Sequence, residues 1–586
     1  MSASRLDLVF LWHMHQPDYR DHASGECVMP WTYLHAMKDY TDMAAHLERH
    51  PTIRAVVNFV PVLLDQIDDY IEQFAAAQLQ PLQPLHPEGF RDPLLRLLAA
   101  PDLDALEAAE RKYLLEACFR CHHATMLAPF SHYQRLHELH ESLAREGEAA
   151  LAYLSGAYLA DLVTWYHLAW TGETERRREP LLAQLMAKGE GYSLADRQGL
   201  LAFIGNTLAN LVPRYRALQA RGQIELSSTP ASHPLSPLLL DFQSARESLP
   251  ESALPLATLY PGGRERVRKH LTLARESHTQ RFGQPPTGMW PAEGALSADF
   301  AHLLSAAGCR WAASGENVLQ HSLGAAVAAA GGHAYHPWQL AEAPGLTLFF
   351  RDDRLSDQIG FEYSKWHGCD AAAHFVAQLE TIAAAAPEGE VPLVSIILDG
   401  ENAWEYYPYN GYYFFDDLYG LLEAHPSIRT STYADVLGDA SRPAPSRLPR
   451  LTAGSWVYGT LCTWIGDPAK NHAWDLLCAA KQSYDQIVAS GRLSADEVAA
   501  AEAQLAVCES SDWFWWFGDY NPGPAVIGFD RLFRHNLTNL YRCLHLAPPA
   551  QLAVPISTGR ANADTNAHVD AGGTMRRGSE SIAQST

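Results

Sequence analysis

The chain has 586 residues and a formal net charge of −23, from 44 basic against 67 acidic side chains. With 47% hydrophobic and 19% charged residues it has the composition of a folded globular protein rather than a disordered one, and the acidic surplus argues against nucleic acid as the main partner. No run approaches the roughly 20 apolar residues that cross a bilayer, no secretory cleavage pattern opens the chain, and the nine cysteines are an odd, scattered count, so a reduced, cytoplasmic setting with no membrane partner is expected.

Short apolar runs ending in polar residues predict seven strands, at 6–12, 54–60, 224–229, 287–291, 310–313, 346–351 and 393–398. The runs are nearly continuous rather than alternating, which favours parallel strands buried on both faces. Helical spacing follows the first strand at 33–50 and recurs at 302–307 and 371–385. Such alternation implies βα units, and seven of them make an α/β fold, an incomplete seven-stranded parallel (β/α) barrel. Residues 61–222, rich in Leu, Ala, Glu and Arg, read as a helical insertion between the second and third strands. Within it, Cys118-Phe119-Arg120-Cys121-His122 matches the short C-x-x-C-H haem-attachment pattern. It lies in a helical run without an export signal, so ordinary helix residues are expected there.

The Pro-rich stretch 441–449 reads as a linker. Beyond it, 471–489, 495–508 and 529–545 have helical patterns and predict a C-terminal helical bundle. The expected organisation is a barrel over 1–440 that contains the insertion, a helical domain over 441–548 that completes the cleft, and a disordered tail over 549–586.

Polar residues cluster just after the strands. His13-Met14-His15-Gln16-Pro17 follows the first, Pro230 and His233 the third, and Trp290-Pro291-Ala292-Glu293 ends the fourth. Arg351-Asp352-Asp353 ends the sixth, and Asp399-Gly400-Glu401-Asn402-Ala403-Trp404-Glu405 the seventh. In a parallel barrel these ends share one face, where active sites lie. Two carboxylates after different strands suit glycosidic cleavage, in which one attacks or activates water and the other protonates the leaving oxygen. Glu293, beside Trp290 and small residues, and Asp399, among Trp404, Tyr406 and Tyr407 and near Glu401 and Glu405, are the best pair. Aromatic surroundings and neighbouring negative charge favour a protonated Asp399, which makes it the expected acid/base and Glu293 the expected nucleophile. The residues leave the opposite assignment open.

These motifs resemble glycoside hydrolase family 57, the group of α-amylases, amylopullulanases, 4-α-glucanotransferases and branching enzymes, over roughly residues 6–545. The resemblance rests on His15-Gln16-Pro17; on GQIELSSTP at 222–230 with His233-Pro234; on Trp290 to Glu293; on LDGENAWEYY at 398–407; and on ESSDWFWWFGD at 509–519. RDDRLSDQIGF at 351–361 is similar to the amylopullulanase-type branch. The resemblance implies a (β/α)7 barrel with a helical bundle and a retaining mechanism, with Glu293 forming the glycosyl-enzyme and Asp399 donating and recovering a proton.

His13, His15, Glu225, His233, Trp290, Arg351, Asp352, Trp404, Trp456, Asp512 and Trp516 are the candidate substrate-binding residues, the last of them reaching over the barrel mouth from the C-terminal part. The expected substrate is an α-glucan, with hydrolysis of α-1,4 links in starch or glycogen as the leading reading. Glucanotransferase or branching activity with the same pair is the alternative, and pullulan cleavage at α-1,6 links stays open. No cofactor and no catalytic metal are expected. His13-Met14-His15 also fits the H-x-H of metal-dependent amidohydrolases, but a full later ligand set is missing. A carbohydrate-binding protein without catalysis is the other rival.

Overall fold

A computed structural model describes residues 5–78, 84–324, 333–518 and 521–559. Seven strands form the barrel: β1 (Leu6–Met14), β2 (Ala55–Phe59), β3 (Ile224–Ser228), β4 (Gly288–Met289), β5 (Trp311–Gly315), β6 (Thr347–Arg351) and β7 (Leu393–Asp399). Each pairs in parallel with its neighbour in chain order from β1 to β6, and β7 returns to pair in parallel with β1. Between β6 and β7 there is no ladder; a backbone bond from the Asp352 N–H to the Ser395 carbonyl (2.9 Å) closes the gap. The incomplete seven-stranded barrel expected from the apolar runs is therefore the observed fold. Three short strands lie outside it: Ile428–Thr430 beside β1, and Trp338–Leu340 and Ser446–Leu448 beyond β6.

Side chains at every second strand position point to the barrel axis. Val9, Leu11, Val56, Trp311, Ala313, Phe349, Leu393 and Ile397 fill the interior together with Trp290 and with Tyr433 and Val436 from a short helix below. Continuing the same period upward gives His13, Asn58, Arg351 and Asp399, so the apolar plug turns polar at the C-terminal ends. Register sets these in one layer, because His13 pairs with Asn58 on one side and Asp399 on the other. Backbone approach is close here. A Cβ on Gly288 would lie 2.2 Å from the Trp311 ring, which leaves no room for a side chain, and one on Gly400 would lie 2.1 Å from Met14 Sδ, so that the Met14 side chain would have to move.

The described residues of 61–222 form helices and their connections, from Pro61–Ala77 to Leu194–Ala220, with no strand among them. The C-x-x-C-H segment departs from the expected helix. Helix Ala108–Ala117 ends before Cys118, and Cys118 and Cys121 are free thiols buried in the turn that follows. The helices Pro468–Ala489, Ala495–Cys508 and Gly523–Cys543 make the C-terminal helical region. The last begins earlier than expected because Pro524 sits in its first turn, where no N–H is needed. The disordered-tail expectation fails for residues 549–559. Leu552 is buried, its carbonyl accepts from Arg534 Nη1 (2.9 Å), and the Ile556 N–H donates to Asp530 (2.7 Å). The rest of that tail lies outside the described residues.

Candidate active site

The C-terminal segments are stitched onto the barrel mouth through backbone. Pro234 pairs with Ser510, and the Ser511 N–H donates to the His233 carbonyl (2.9 Å). Leu296 pairs with Gly454, and the Trp456 N–H donates to the Glu293 carbonyl (3.1 Å). A buried ion pair anchors the first of these segments. Glu509 accepts from Arg266 Nε and Nη2 (both 2.8 Å), His270 Nε2 (2.7 Å) and the Tyr260 hydroxyl (2.6 Å). Burial alone would push Glu509 up, but Arg266 and His270 pull it down to about 2.

Glu293 follows β4 and is only 5% exposed. Its backbone is left-handed (φ 58°), as are those of His233 (φ 57°) and Tyr458 (φ 57°). Strain of this kind is retained where the surroundings over-determine it. Both carboxylate oxygens of Glu293 are held: Trp456 Nε1–H donates to Oε2 (3.2 Å), and Ser511 Oγ lies 3.2 Å from Oε1. Burial and the nearby negative charges of Asp399 and Asp512 push its pKa well up. Asp399 ends β7 and is half-buried. Asn402 Nδ2 donates to its Oδ2 (2.6 Å). Burial raises it to about 6, against the opposing pull of Asn402, His15 and Arg351. The two carboxyls thus arrive from different strands into one site, where the charge of Asp399 bears on Glu293.

Around them lies a histidine cluster. His13 Nδ1 faces Asn58 Oδ1 (2.7 Å), and its Nε2 faces His233 Nε2 (3.1 Å). His233 Nδ1 is 2.8 Å from Ser511 Oγ. His15 Nε2 donates to Asp512 Oδ1 (2.9 Å), whose Oδ2 also accepts from Ser510 Oγ (2.6 Å). Burial, and then the charge His15 would carry, hold His13 down at about 3; burial with His15 and His13 pushes His233 well below the ordinary range. His15, His233 and Asp512 each bring one donor atom within 4.8 Å of the others, a spacing that a metal ion could bridge. However, the His15 and His233 rings stack at 3.8 Å with a 20° tilt. Their nitrogen lone pairs therefore run side by side instead of converging, and we assign no metal to them.

Arg351 ends β6, lies 5.3 Å over the Trp456 ring, and is fixed by Asp357 (2.6 Å) and Asp353 (3.3 Å). Glu293, Asp399, His13, His15, His233, Arg351, Trp456 and Asp512 are thus brought together. Four other candidates are not, and a fifth, Trp290, adjoins the cluster from the core. Glu225 sits at the opposite end of the barrel, where its carboxylate accepts from Trp311 Nε1 (2.7 Å) and the Ala434 N–H (2.8 Å). Asp352 is spent on capping a short helix through the Leu355 N–H (2.7 Å) and on the Tyr335 hydroxyl (2.9 Å). Trp290 is fully buried at the top of the barrel plug, where its ring lies 5.2 Å from that of Trp456 and 6.3 Å from that of His13. Trp404 is buried against Trp12 and Phe415 and donates to the Gly400 carbonyl (2.9 Å). Trp516 stacks on Phe529 at 4.3 Å, inside the helical region. Ser511, Asn58 and Asn402 were not among the candidates. Ser511 stood within the ESSDWFWWFGD segment, and Asn58 was signalled only as a polar residue in the apolar run AVVNF.

The model of glycosyl hydrolase family 57 matches residues 9–448. Among solved structures, the chain is similar to a family 57 branching enzyme from the archaeon Thermococcus kodakaraensis, crystallised with glucose (15% identity, TM-score 0.55, covering 92% of this chain and 90% of that one). It is also similar to a branching enzyme of the same type from Pyrococcus horikoshii (16%, 0.55, 94% and 99%). An α-amylase from Thermotoga maritima resembles it as well (13%, 0.53, 92% and 94%). At these identities the likeness shows the fold. No curated protein matched the sequence.

Proposed function

From the premise that this chain belongs to glycosyl hydrolase family 57, we propose that it is a retaining enzyme acting on α-1,4-linked glucans, with Glu293 as nucleophile and Asp399 as acid/base. The observation that carries this reading is the pair itself: two carboxyls from different strand ends, both pushed up by burial, with Glu293 pushed up also by the charges of Asp399 and Asp512. The role assignment is supported by hydrogen bonding. Glu293 is held at both oxygens, by Trp456 Nε1–H at Oε2 and by contact with Ser511 Oγ at Oε1, which fixes the group for attack, whereas Asp399 is held by Asn402 at Oδ2. In the first step Glu293 attacks the anomeric carbon while Asp399 gives up its proton. In the second, Asp399 takes a proton from the acceptor as the ester is released.

A second reading, transfer to another sugar hydroxyl, is favoured by the small exposure of Glu293 beneath Trp456 and Ser511, since exclusion of water protects the ester from hydrolysis. Incubation with maltoheptaose, amylose and pullulan, followed by chromatography, separates the readings. Only shorter products mean hydrolysis, and longer products from maltoheptaose mean transfer. Wild-type behaviour of both Glu293→Gln and Asp399→Asn would overturn the catalytic assignment.

A further inference from the structure

Ser511 has one proton and two neighbours that want it, His233 Nδ1 at 2.8 Å and Glu293 Oε1 at 3.2 Å. Which one receives it follows from the far end of the chain of contacts. Asn58 presents Oδ1, an acceptor, to His13 Nδ1, so His13 carries its proton there. His13 Nε2 is then a lone pair, and the facing nitrogen, His233 Nε2, must be the N–H. That leaves His233 Nδ1 as an acceptor, and the Ser511 hydroxyl points to it. The contact between Ser511 and Glu293 is then satisfied only when Glu293 is protonated and donates to Ser511 Oγ. The resting chain is neutral throughout, in keeping with the upward push on Glu293 and the downward push on His233.

An attacking Glu293 must lose that proton, and its side chain is only 6% exposed, with Ser511 Oγ in contact with it. Resting on the catalytic reading above, we propose that Ser511 is a positioning residue that relays a proton between Glu293 and His233. The Glu293 O–H bond breaks as a new Ser511 Oγ–H bond forms, while the original Ser511 Oγ–H bond breaks as a His233 Nδ1–H bond forms. The products are a Glu293 carboxylate that accepts from both Trp456 and Ser511, and an imidazolium at His233. No proton leaves the cluster. The imidazolium donates from Nε2 to His13 and from Nδ1 to Ser511. It faces the carboxylates of Asp512 at 3.8 Å and Glu293 at 3.9 Å, and these oppose the cost set by burial and by the stacked His15 and neighbouring His13. Glu293 in turn faces Asp399 and Asp512, and Asp399 faces Arg351 and His15.

The test compares wild type with Ser511→Ala and Ser511→Thr. The backbone bond from Ser511 to His233 does not depend on the side chain, so the fold is kept. For Ser511→Ala we expect kcat to fall about tenfold or more with KM little changed, and the acid limb of the kcat/KM profile to move up by about one pH unit, the effect of losing one hydrogen bond to a charged group. Ser511→Thr should restore the limb. A second arm needs no turnover. With 15N-labelled histidine, and His233→Asn to assign the signal, the wild-type His233 Nδ1 resonance should move with Glu293 ionisation, and the response should vanish in Ser511→Ala. An acid limb unmoved in Ser511→Ala, or a wild-type His233 signal that ignores Glu293, overturns the relay. If the signal couples as expected but the wild type leaves every α-glucan intact, the relay stands and the catalytic reading falls.

Discussion

The Glu509 ion pair fixes the segment that carries Ser511 and Asp512, and its removal is the sharpest perturbation of the assembled mouth. Glu509 is fully buried, and Arg266 is 5% exposed. Glu509→Gln deletes the charge that Arg266 and His270 address and leaves the guanidinium with Glu502 (3.1 Å) as its remaining carboxylate. A carboxyl held at about 2 instead of 4.5 corresponds to about 3 kcal/mol of stability, which agrees with the roughly 3–5 kcal/mol lost when one partner of a buried pair is removed. The sign follows from the depressed pKa. The contribution is fully present above pH 4.5 and is lost as the pH falls towards 2. Urea unfolding followed by tryptophan fluorescence, at neutral pH and at steps down through that window, should show Glu509→Gln less stable at neutral pH and with a shallower acid decline than wild type. A neutral-pH difference below about 0.5 kcal/mol, the size of an ordinary surface substitution, or an unchanged acid slope, would refute the reasoning.

Three further outcomes are expected. Glu225 is raised by burial to about 7, so its contribution to stability is present below pH 4.5 and is lost as the pH rises through 7; Glu225→Gln should flatten that decline in unfolding experiments and leave the product pattern unchanged. Trp456→Phe keeps the ring but removes the N–H to Glu293 Oε2, and kcat measured on maltoheptaose should fall about ten- to a hundredfold. Asp352→Ala removes a helix cap and should cost about 1 kcal/mol in urea titration, with KM unchanged.

The barrel was legible because its strands are apolar on both faces, so seven runs stood out and all seven are strands. The site was legible where a polar residue follows such a run, as at His13, Glu293 and Asp399. Legibility failed in three ways. Glu225 lies inside a run, and the run does not say which end of the barrel its second residue occupies. Trp290, Trp404 and Trp516 are as apolar as any core residue, and an aromatic beside a catalytic motif packs against the core as readily as against sugar. Ser511 and Asn58 act through the direction of a single hydrogen bond, which depends on partners hundreds of residues away and leaves almost no trace in composition or periodicity.

His15 and Asp512, bonded to each other, stand 497 positions apart along the polypeptide. During synthesis the barrel strands leave the ribosome long before the segment that brings Asp512 and Ser511. A nascent or truncated chain that has already formed the barrel holds Glu293 without its hydroxyl and His15 without its carboxylate. A chain that ends before Ser511 therefore has the barrel residues of the candidate site but lacks these two partners.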